Sequence, residues 1–461
     1  MKQIDFSEGR ITKNIIQTAL PLMVAQIMNL LYSIIDRVYI GRIPGTGTTA
    51  LGAIGLCFPI IIIVTAFTNL YGQGGAPLFS ISRGQGDPKT AQLIMDLSLF
   101  LEIITAIILT AVFFIFAKPI LAVFGTSDNV MPFAASYLRI YIWGTFFTMF
   151  TLGMNPFINA QGFPSIGMMT VVIGAIANLI LDPIFIFVLG LGIRGAAIAT
   201  VLSQGLSFLF VLHFLIKGKA EYRAHLISAS VVMSNLHQVS EIVGLGMAAF
   251  IMQITNGLCQ IVNNNVLGRY GGDVYISIMT IVSSVRQVLE TPAFAIADGA
   301  SPVISFNYGA RKPQQVRTGI KVMASMLCAY TLIAWLLELW QPKLFIQIFS
   351  SDPTILKDSI PALHLYFFAF IFMTFQHTGQ TTFKALNKKK KAIFFSLFRK
   401  VIIVVPLTIL LPMVGGLGTD GVFMAEPISN VIGGLACFIT MLLTVLPELN
   451  HMEEGEIPII K

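Results

Sequence analysis

Residues 170–192 read T-V-V-I-G-A-I-A-N-L-I-L-D-P-I-F-I-F-V-L-G-L-G, and this stretch decides how the chain folds. It is long enough to cross a bilayer as a helix, yet Asn178 and Asp182 lie near its middle. An ionised carboxylate at that depth costs at least about 2.5–3.5 kcal/mol and usually marks a functional position. Asn178 and Asp182 are four residues apart and share one helix face, and Pro183 loosens the turn before it. The stretch predicts a membrane helix that carries an ion or substrate site.

The composition is that of an integral membrane protein with many spans. The chain has 461 residues, of which 55% are hydrophobic and 11% charged, whereas about 25% of the residues of a soluble domain are charged. The mean hydropathy is +0.81, and long apolar runs recur from end to end. A β-barrel would show alternating segments of about ten residues. We therefore predict an all-α integral membrane protein, without a cleaved signal peptide because residues 1–13 are polar.

Twelve apolar stretches are predicted to form transmembrane helices, so both termini lie on one side. Most of the 29 lysines and arginines fall on that side, including Lys388–Lys391, Arg399 and Lys400. The positive-inside rule then places both termini in the cytoplasm. The net charge of +7 is thus explained by lysines and arginines in the cytoplasmic loops and chain ends. We therefore expect no nucleic-acid partner. The predicted spans are 14–40, 51–82, 92–117, 131–155, 165–189, 193–216, 240–267, 275–306, 318–340, 361–382, 393–415 and 420–446.

The sequence contains an internal repeat of six spans. The segment G-G-A-P-L-F-S-I-S-R-G-Q-G-D-P at 74–88 aligns with G-A-S-P-V-I-S-F-N-Y-G-A-R-K-P at 299–313. We predict an N-terminal lobe of residues 1–216, a cytoplasmic linker of 217–239 and a C-terminal lobe of 240–461 with a short cytoplasmic tail. Because each half has an even number of spans, a pseudo-two-fold axis along the membrane normal should relate the two six-helix bundles. This layout is typical of transporters that bind their substrate between two halves.

Polar residues follow one helix face in the first span and again in the seventh. It is energetically unfavourable for stripes of this length to face lipid, because every polar group exposed there loses its hydrogen bonds to water. We interpret them as the lining of a bundle interior or a wet cavity, and hydrogen bonds between helices are the alternative. The two stripes, in matching register, are Gln26, Asn29, Ser33 and Asp36 in the first half and Gln253, Asn256, Gln260 and Asn263 in the second.

The acids of the first half have no acidic counterparts in the second. Asp36 aligns with Asn263, and Asp182 aligns with Leu407 or Thr408. Two carboxylates held close together favour one shared proton, and the same oxygens suit Na⁺ better than a transition metal. The residue types alone do not separate the proton from sodium.

Other charged residues also fall within the predicted spans. Arg286 and Glu290 are four residues apart, so we predict that they neutralise each other as a structural ion pair. Asp298 and Glu426 are possible acids of the second lobe, and Glu426 aligns with Thr200 of the first half.

The chain resembles the MATE (multidrug and toxic compound extrusion) family over essentially its whole length, most closely the bacterial MepA-like branch. The motifs that carry the resemblance are D-R-V-Y-I-G at 36–41, N-L-I-L-D-P-I-F-I-F at 178–187 and L-G-I-R-G-A-A-I-A-T at 191–200. The resemblance implies a monomeric antiporter in the bacterial cytoplasmic membrane that exports amphipathic, often cationic drugs in exchange for H⁺ or Na⁺, with no other cofactor. A role in antibiotic resistance would follow.

The resemblance also implies the residues of the coupling-cation site. That site falls on Asp36, Asn178, Asp182 and Thr200, with Tyr32 and Asn155 near further positions that the family uses in this lobe. NorM-like members carry acids in the seventh and tenth spans. Here the seventh reads M-Q-I-T and the tenth has no acid, so no second-lobe Na⁺ site of that kind is expected.

Two other functions are alternatives to antiport. A flippase for lipid-linked saccharides, from the same superfamily, would need a basic cavity to hold pyrophosphate, whereas the buried charge predicted here is acidic. A membrane enzyme would need a catalytic constellation, and no H-E-x-x-H, G-x-S-x-G or D-D-x-x-D pattern occurs. We therefore expect a transporter and not an enzyme.

Overall fold

The structure, a computed structural model, describes residues 3–123, 128–349 and 353–454 and contains no β-strand in those ranges. The predicted cytoplasmic tail beyond residue 454 lies outside the described residues. Helices up to the middle of the chain are α1 (Ile11–Gly41), α2 (Gly47–Gly84), α3 (Pro88–Ile115), α4 (Ala117–Val123), α5 (Met131–Tyr141), α6 (Gly144–Ala160), α7 (Pro164–Pro183), α8 (Gly192–Lys217) and α9 (Ala229–Ser234).

The second half continues in the same way. Its helices are α10 (Leu236–Tyr270), α11 (Gly272–Gly309), α12 (Pro313–Trp340), α13 (Pro342–Gln347), α14 (Pro353–Phe367), α15 (Met373–Ala385), α16 (Lys389–Leu397), α17 (Val405–Leu410) and α18 (Thr419–Glu453). Short 3₁₀ turns cover Phe370–Phe372 and Leu411–Met413, and π-helical segments cover Ile184–Val188 and Phe398–Val404.

Each predicted span has a helical counterpart. Within the described ranges, nine helical stretches are long and apolar enough to cross a membrane, and a tenth span results if α14 and α15, bent by 41°, count together. The predicted span 131–155 is divided at Ile142–Trp143 into α5 and α6. The predicted span 275–306 is α11, whose apolar character is reduced by Arg286, Glu290 and Asp298. The chain therefore has the all-α transmembrane fold that its hydropathy predicts.

The chain divides into two compact units. The first unit comprises the residues up to Ile4, Pro21–Ser82 and Asp87–Phe250, and the second comprises Asp5–Leu20, Arg83–Gly86 and the chain from Ile251 onward. The lobe boundaries at residues 216 and 240 stay predictions, as does the pseudo-two-fold axis.

The predicted linker segment is folded onto the first unit. The Gln161 side chain, on the last turn of α6, accepts from the Tyr222 N–H (3.0 Å) and donates to the Tyr222 carbonyl (3.2 Å). The His225 N–H donates to Asp96 Oδ1 on α3 at 3.0 Å. Two helices thus hold the segment by its main chain.

Helix α8 is the centre of the packing around the stretch that carries Asp182. It contacts α5, α6, α7 and the π-helical segment Ile184–Val188. A Cβ atom on Gly195 would lie 2.5 Å from the Phe185 carbonyl oxygen, so glycine permits α8 to begin directly against that segment. Further along, Ser207 donates to the Thr170 carbonyl at 2.9 Å. This close approach brings the polar faces of α7 and α8 together.

Candidate functional site

Three of the predicted coupling residues meet between α7 and α8. Asn178 Nδ2 donates to Asp182 Oδ1 at 3.2 Å and to Thr200 Oγ1 at 3.4 Å. Thr200 in turn donates to the Ala196 carbonyl one helical turn back, at 2.9 Å. The exposed fractions are 2% for Asn178, 0% for Asp182 and 4% for Thr200. These side chains are therefore held in fixed positions away from bulk water.

Helix α1 adds the fourth predicted residue. Asp36 shares a side-chain hydrogen bond with Asp182, and Tyr32, one turn earlier on α1, bonds Thr200. A hydrogen bond between two carboxyl groups needs one proton between them, because two carboxylates repel each other at that distance. A carboxyl pair of this kind can hold one positive charge, whether a proton or a small cation.

Several oxygen atoms around this pair have no hydrogen-bond donor among the described residues. Asp36 Oδ1, Asp182 Oδ2 and Asn178 Oδ1 are buried and accept no N–H or O–H hydrogen bond within the described part of the chain. Unsatisfied buried acceptors are costly, and a bound proton or cation would satisfy them. The donor set is oxygen alone, as hard monovalent cations prefer. In the same ranges, no group of three or more His, Cys, Asp or Glu could hold a metal ion.

A cavity of about 120 Å³ opens beside this cluster within the first unit. Asn178 and Thr200 line it, while Asp36 and Asp182 do not. Its wall mixes hydroxyl, amide and apolar groups. The other lining residues are Asn29, Tyr32, Phe147, Thr148, Thr151, Leu152, Thr170, Val171, Gly174, Ala175, Ser203, Gln204 and Ser207.

Other residues of the first half that the sequence singles out fall in different places. Gln26 and Ser33 are half-buried on α1, away from the lining of this cavity. Asn155 does not join the cluster: its Nδ2 donates to the Gly167 carbonyl and its Oδ1 accepts from Asn159, both at 2.9 Å. It links α6 to the start of α7.

Sequence reasoning missed two polar neighbours of the carboxyl pair. Tyr141 lies near Asp36 and shares a side-chain hydrogen bond with Gln204, and Gln204 lines the cavity. Gln204 follows Thr200 by four residues, so the spacing alone predicts that both side chains lie on the same face of α8. Tyr141 gave no such signal, because α5, which carries it, contains no other residue of the predicted site.

The corresponding positions of the second unit are neutral. Thr408 donates to Asn263 Oδ1 at 3.2 Å; Asn263 aligns with Asp36, and Thr408 is one of the two residues that align with Asp182. An amide and a hydroxyl thus replace the two carboxyl groups. The other members of the α10 stripe share its face, with Gln253 half-buried and Asn256 and Gln260 exposed.

The acids of the second unit are paired or lie elsewhere. Arg286 Nε donates to Glu290 Oε2 at 2.9 Å, which is the pairing expected from their spacing. Glu426 Oε1 contacts three cations, namely Arg286, Arg399 at 3.0 Å and Lys400 at 2.8 Å. Glu426 therefore offers no free carboxylate to a coupling cation. Asp298 lies two turns beyond Glu290 on α11 and is half-buried.

The placement of Arg399 and Lys400 corrects two sequence-based expectations. Both were expected on the cytoplasmic surface, but they are only 6% and 4% exposed, within the π-helical segment Phe398–Val404 of the second unit. The expectation of acidic buried charge is likewise wrong for this unit, where three buried cations face two carboxylates. Both residues lie inside the predicted span 393–415, and this position in the sequence indicates that they are embedded in the membrane.

Comparisons with known proteins agree with this architecture. The family model described as MatE matches the chain twice, over residues 21–184 and 248–410. The multidrug export protein MepA of Staphylococcus haemolyticus (strain JCSC1435) is 26% identical over 383 residues, which is 81% of this chain and 83% of that protein. MepA of Staphylococcus saprophyticus is 24% identical over 446 residues, which is 95% of each chain.

Solved structures show the same fold. An outward-facing multidrug resistance MATE family transporter of the MOP superfamily superposes with a TM-score of 0.89 at 21% identity, covering 98% of this chain and 99% of that chain. A MOP superfamily transporter from Pyrococcus furiosus, described as having a binding pocket of reverse polarity, gives a TM-score of 0.90 at 21% identity and the same coverage.

Proposed function

Because the chain belongs to the MatE family, we propose that it is a multidrug exporter that works as a cation-coupled antiporter. It exports amphipathic, cationic organic compounds across the cytoplasmic membrane by alternating access, in exchange for inward H⁺ or Na⁺. The single observation that carries this proposal is the buried Asp36–Asp182 pair with its unsatisfied oxygens. The MepA relatives are named multidrug export proteins, which supports the substrate class.

The proposed coupling depends on the charge of the carboxyl pair. When the site is open to the outside, it takes up H⁺ or Na⁺, and the attraction for a cationic compound falls. The compound then leaves outward, and the loaded site returns inward and releases its ion. One site thereby links both movements, because each ligand favours a different charge state of the same oxygens.

The cavity suggests how the compound and the ion compete. Asn178 and Thr200 line the cavity, whereas the two carboxyl groups lie behind them. A bound compound would contact the amide and the hydroxyl, and it would sense the acids through charge alone. The site therefore need not place both ligands on the same oxygens.

The remaining parts of the proposal concern the setting of the protein. It works as a monomer with both termini in the cytoplasm, binds no nucleic acid, catalyses no reaction and needs no cofactor besides the coupling ion. The flippase alternative is not favoured, since the matching relatives are multidrug exporters.

Transport by purified protein in liposomes tests the proposal. Uptake of ethidium is measured with an imposed pH gradient, an imposed Na⁺ gradient or neither, for the wild type and for Asp182→Asn. We expect one gradient to drive uptake by the wild type and neither to drive it in the variant. Asp96→Asn, which changes a buried acid on α3, is the control and should behave as the wild type. Equal gradient-driven uptake by Asp182→Asn would contradict the proposal.

A further inference from the structure

A second group of buried charges has no part in the proposed coupling. It lies in the second unit, on α11, α18 and the π-helical segment Phe398–Val404. Three cations and two carboxylates are in direct contact there, with 5–13% of each side chain exposed. We call this group the basic cluster, and its members are Arg286, Glu290, Arg399, Lys400 and Glu426.

The neighbours of the basic cluster add no negative charge. The Tyr366 hydroxyl accepts from Arg286 at 2.8 Å, and the Asn430 amide oxygen accepts from Arg399 at 2.9 Å. His377 Nε2 lies 3.5 Å from Glu290, and Cys259 bonds the Lys400 carbonyl. All four groups are neutral or able to gain positive charge. The cluster therefore carries a surplus of one positive charge.

Two side chains of the cluster also have hydrogen-bond donors to spare. Arg399 uses Nη1 for Glu426 and Asn430, and Lys400 donates to Glu426. Their other N–H groups have no partner in the ranges that the structure describes, although both side chains are more than nine-tenths buried. An unpaired charge in a low-dielectric interior is unfavourable. A single negative charge at Arg399 and Lys400 would compensate it and could accept from their remaining N–H groups.

We propose that the basic cluster binds one monovalent anionic group, held by Arg399 and Lys400. The group is either a free halide, with chloride the common case, or the carboxylate of a transported zwitterion. In the described part of the first unit no cation is hydrogen-bonded to the Asp36–Asp182 pair, whereas the basic cluster of the second unit has one cation in excess. On this proposal the two units bind ligands of opposite sign. The halide form of the proposal does not depend on antiport and stands if antiport fails, while the carboxylate form rests on the proposed transport of organic compounds.

Thermal unfolding of the purified full-length protein tests the halide form. Sodium chloride is replaced by sodium gluconate at constant Na⁺ and ionic strength, without any drug present. Since a ligand that binds only the folded state raises the Tm, chloride should raise it in a saturable way. Crystals soaked in bromide should then show an anomalous peak beside Arg399 and Lys400.

Variants of Lys400 decide whether the effect arises at the cluster. Lys400→Met removes the surplus charge, so the chloride shift should vanish, whereas Lys400→Arg should keep it. Lys388→Met is the matched control, because Lys388 pairs with Glu448 at 2.7 Å outside the cluster, and it should keep the full shift. A shift of equal size in the wild type and Lys400→Met would overturn a halide site here.

Binding of norfloxacin and of its methyl ester tests the carboxylate form. If chloride has no effect but Lys400→Met weakens binding of the acid at least tenfold and leaves that of the ester unchanged, the ligand is the substrate carboxylate. If chloride shifts the Tm and competes with neither compound, the ligand is a free halide. If neither chloride nor the acid distinguishes Lys400→Met from the wild type, the cluster is neutralised by loss of a proton and the proposal is wrong.

Discussion

Asp182 and Glu426 are both acids buried within membrane spans, and their contacts give them opposite roles. Asp182 contacts an amide and a second carboxyl group, with no cation bonded to it. Glu426 contacts three cations. A carboxylate without a fixed counter-ion can exchange a proton or Na⁺, whereas one that is enclosed by guanidinium and ammonium groups has little to gain from either. Both side chains are acidic and buried, so the partners decide their roles.

Asn178 should set the affinity for the coupling ion. It bridges Asp182 and Thr200, so Asn178→Leu removes an oxygen ligand and leaves its partners unsatisfied. A loss of this kind is worth about 1–3 kcal/mol, and we expect the half-saturating ion concentration for ethidium transport to rise at least about tenfold. Ser203 lies on the same cavity wall and donates to the Ala199 carbonyl of its own helix. Ser203→Ala should therefore leave the half-saturating ion concentration unchanged. If the wild type and Asn178→Leu had equal affinities for the coupling ion, Asn178 would not be part of the ion site.

Gly153 should tolerate no side chain. A Cβ atom there would lie 1.9 Å from Oε1 of Glu102, which is fully buried. Overpacking of this kind costs about 1–3 kcal/mol, so Gly153→Ala should lower the Tm of the protein in detergent. The double variant Glu102→Ala, Gly153→Ala should recover much of the loss, since the three atoms nearest to the added Cβ all belong to the Glu102 carboxyl group. Strictly additive effects of the two changes would contradict this packing.

At the scale of elements, the two charge clusters lie at irregular helices. The π-helical segment Ile184–Val188 begins directly after Asp182 and Pro183, and Phe398–Val404 contains Arg399 and Lys400. A π-helical turn frees main-chain groups and re-aims side chains, and such turns are frequent at functional sites. The proline predicts a weakened turn in the first case. No residue pattern predicts the second π-helical segment, Phe398–Val404, which packs against α18.

The start of α3 gives a prediction on stability and its pH dependence. Asp87 caps this helix by accepting from the Thr90 N–H at 3.0 Å. Asp87→Ala should lower the free energy of unfolding by about 1 kcal/mol at pH 7, whereas Asp87→Asn keeps a capping oxygen and should cost much less. Thermal unfolding of the three proteins in detergent measures both effects.

The difference between the wild type and Asp87→Ala should also depend on pH. Hydrogen bonds from the Thr90 hydroxyl and N–H lower the pKa of Asp87 below its usual 3.8. The charged cap therefore stabilises the folded state at pH values above 3.8, and this stabilisation is lost as the pH falls through the lowered pKa. The difference in Tm between the wild type and Asp87→Ala should narrow below about pH 4. A difference that widens there would exclude this account.

At the scale of the whole molecule, the two units share a plan and differ in charge. One family model matches both halves, yet the first unit holds paired acids and the second holds the basic cluster. Aligned positions show how the difference arises, since Asp36 corresponds to Asn263 and Asp182 to Leu407 or Thr408, all of which are neutral. The two halves of a repeat that keep one backbone are therefore free to bind different ligands.

The orientation of the chain gives a prediction for intact cells. In a background without the four native cysteines, Lys219→Cys and Lys357→Cys each place one thiol at an exposed position. Since the positive-inside rule puts the termini in the cytoplasm, a membrane-impermeant maleimide should label Lys357→Cys directly. Lys219→Cys should react only after permeabilisation. The reverse pattern would invert the predicted topology.

The sequence by itself determined the membrane-spanning helical fold, the repeat and the grouping of Asn178 with Asp182. These features depend on hydropathy and on spacing along a single helix, which are local properties of the chain. Only the tertiary structure decided that Asp36 meets Asp182 and that Arg286, Arg399 and Lys400 neutralise Glu426. Such contacts join residues far apart in the chain, and the rotation and bending of each helix, which local patterns do not encode, set which side chains meet.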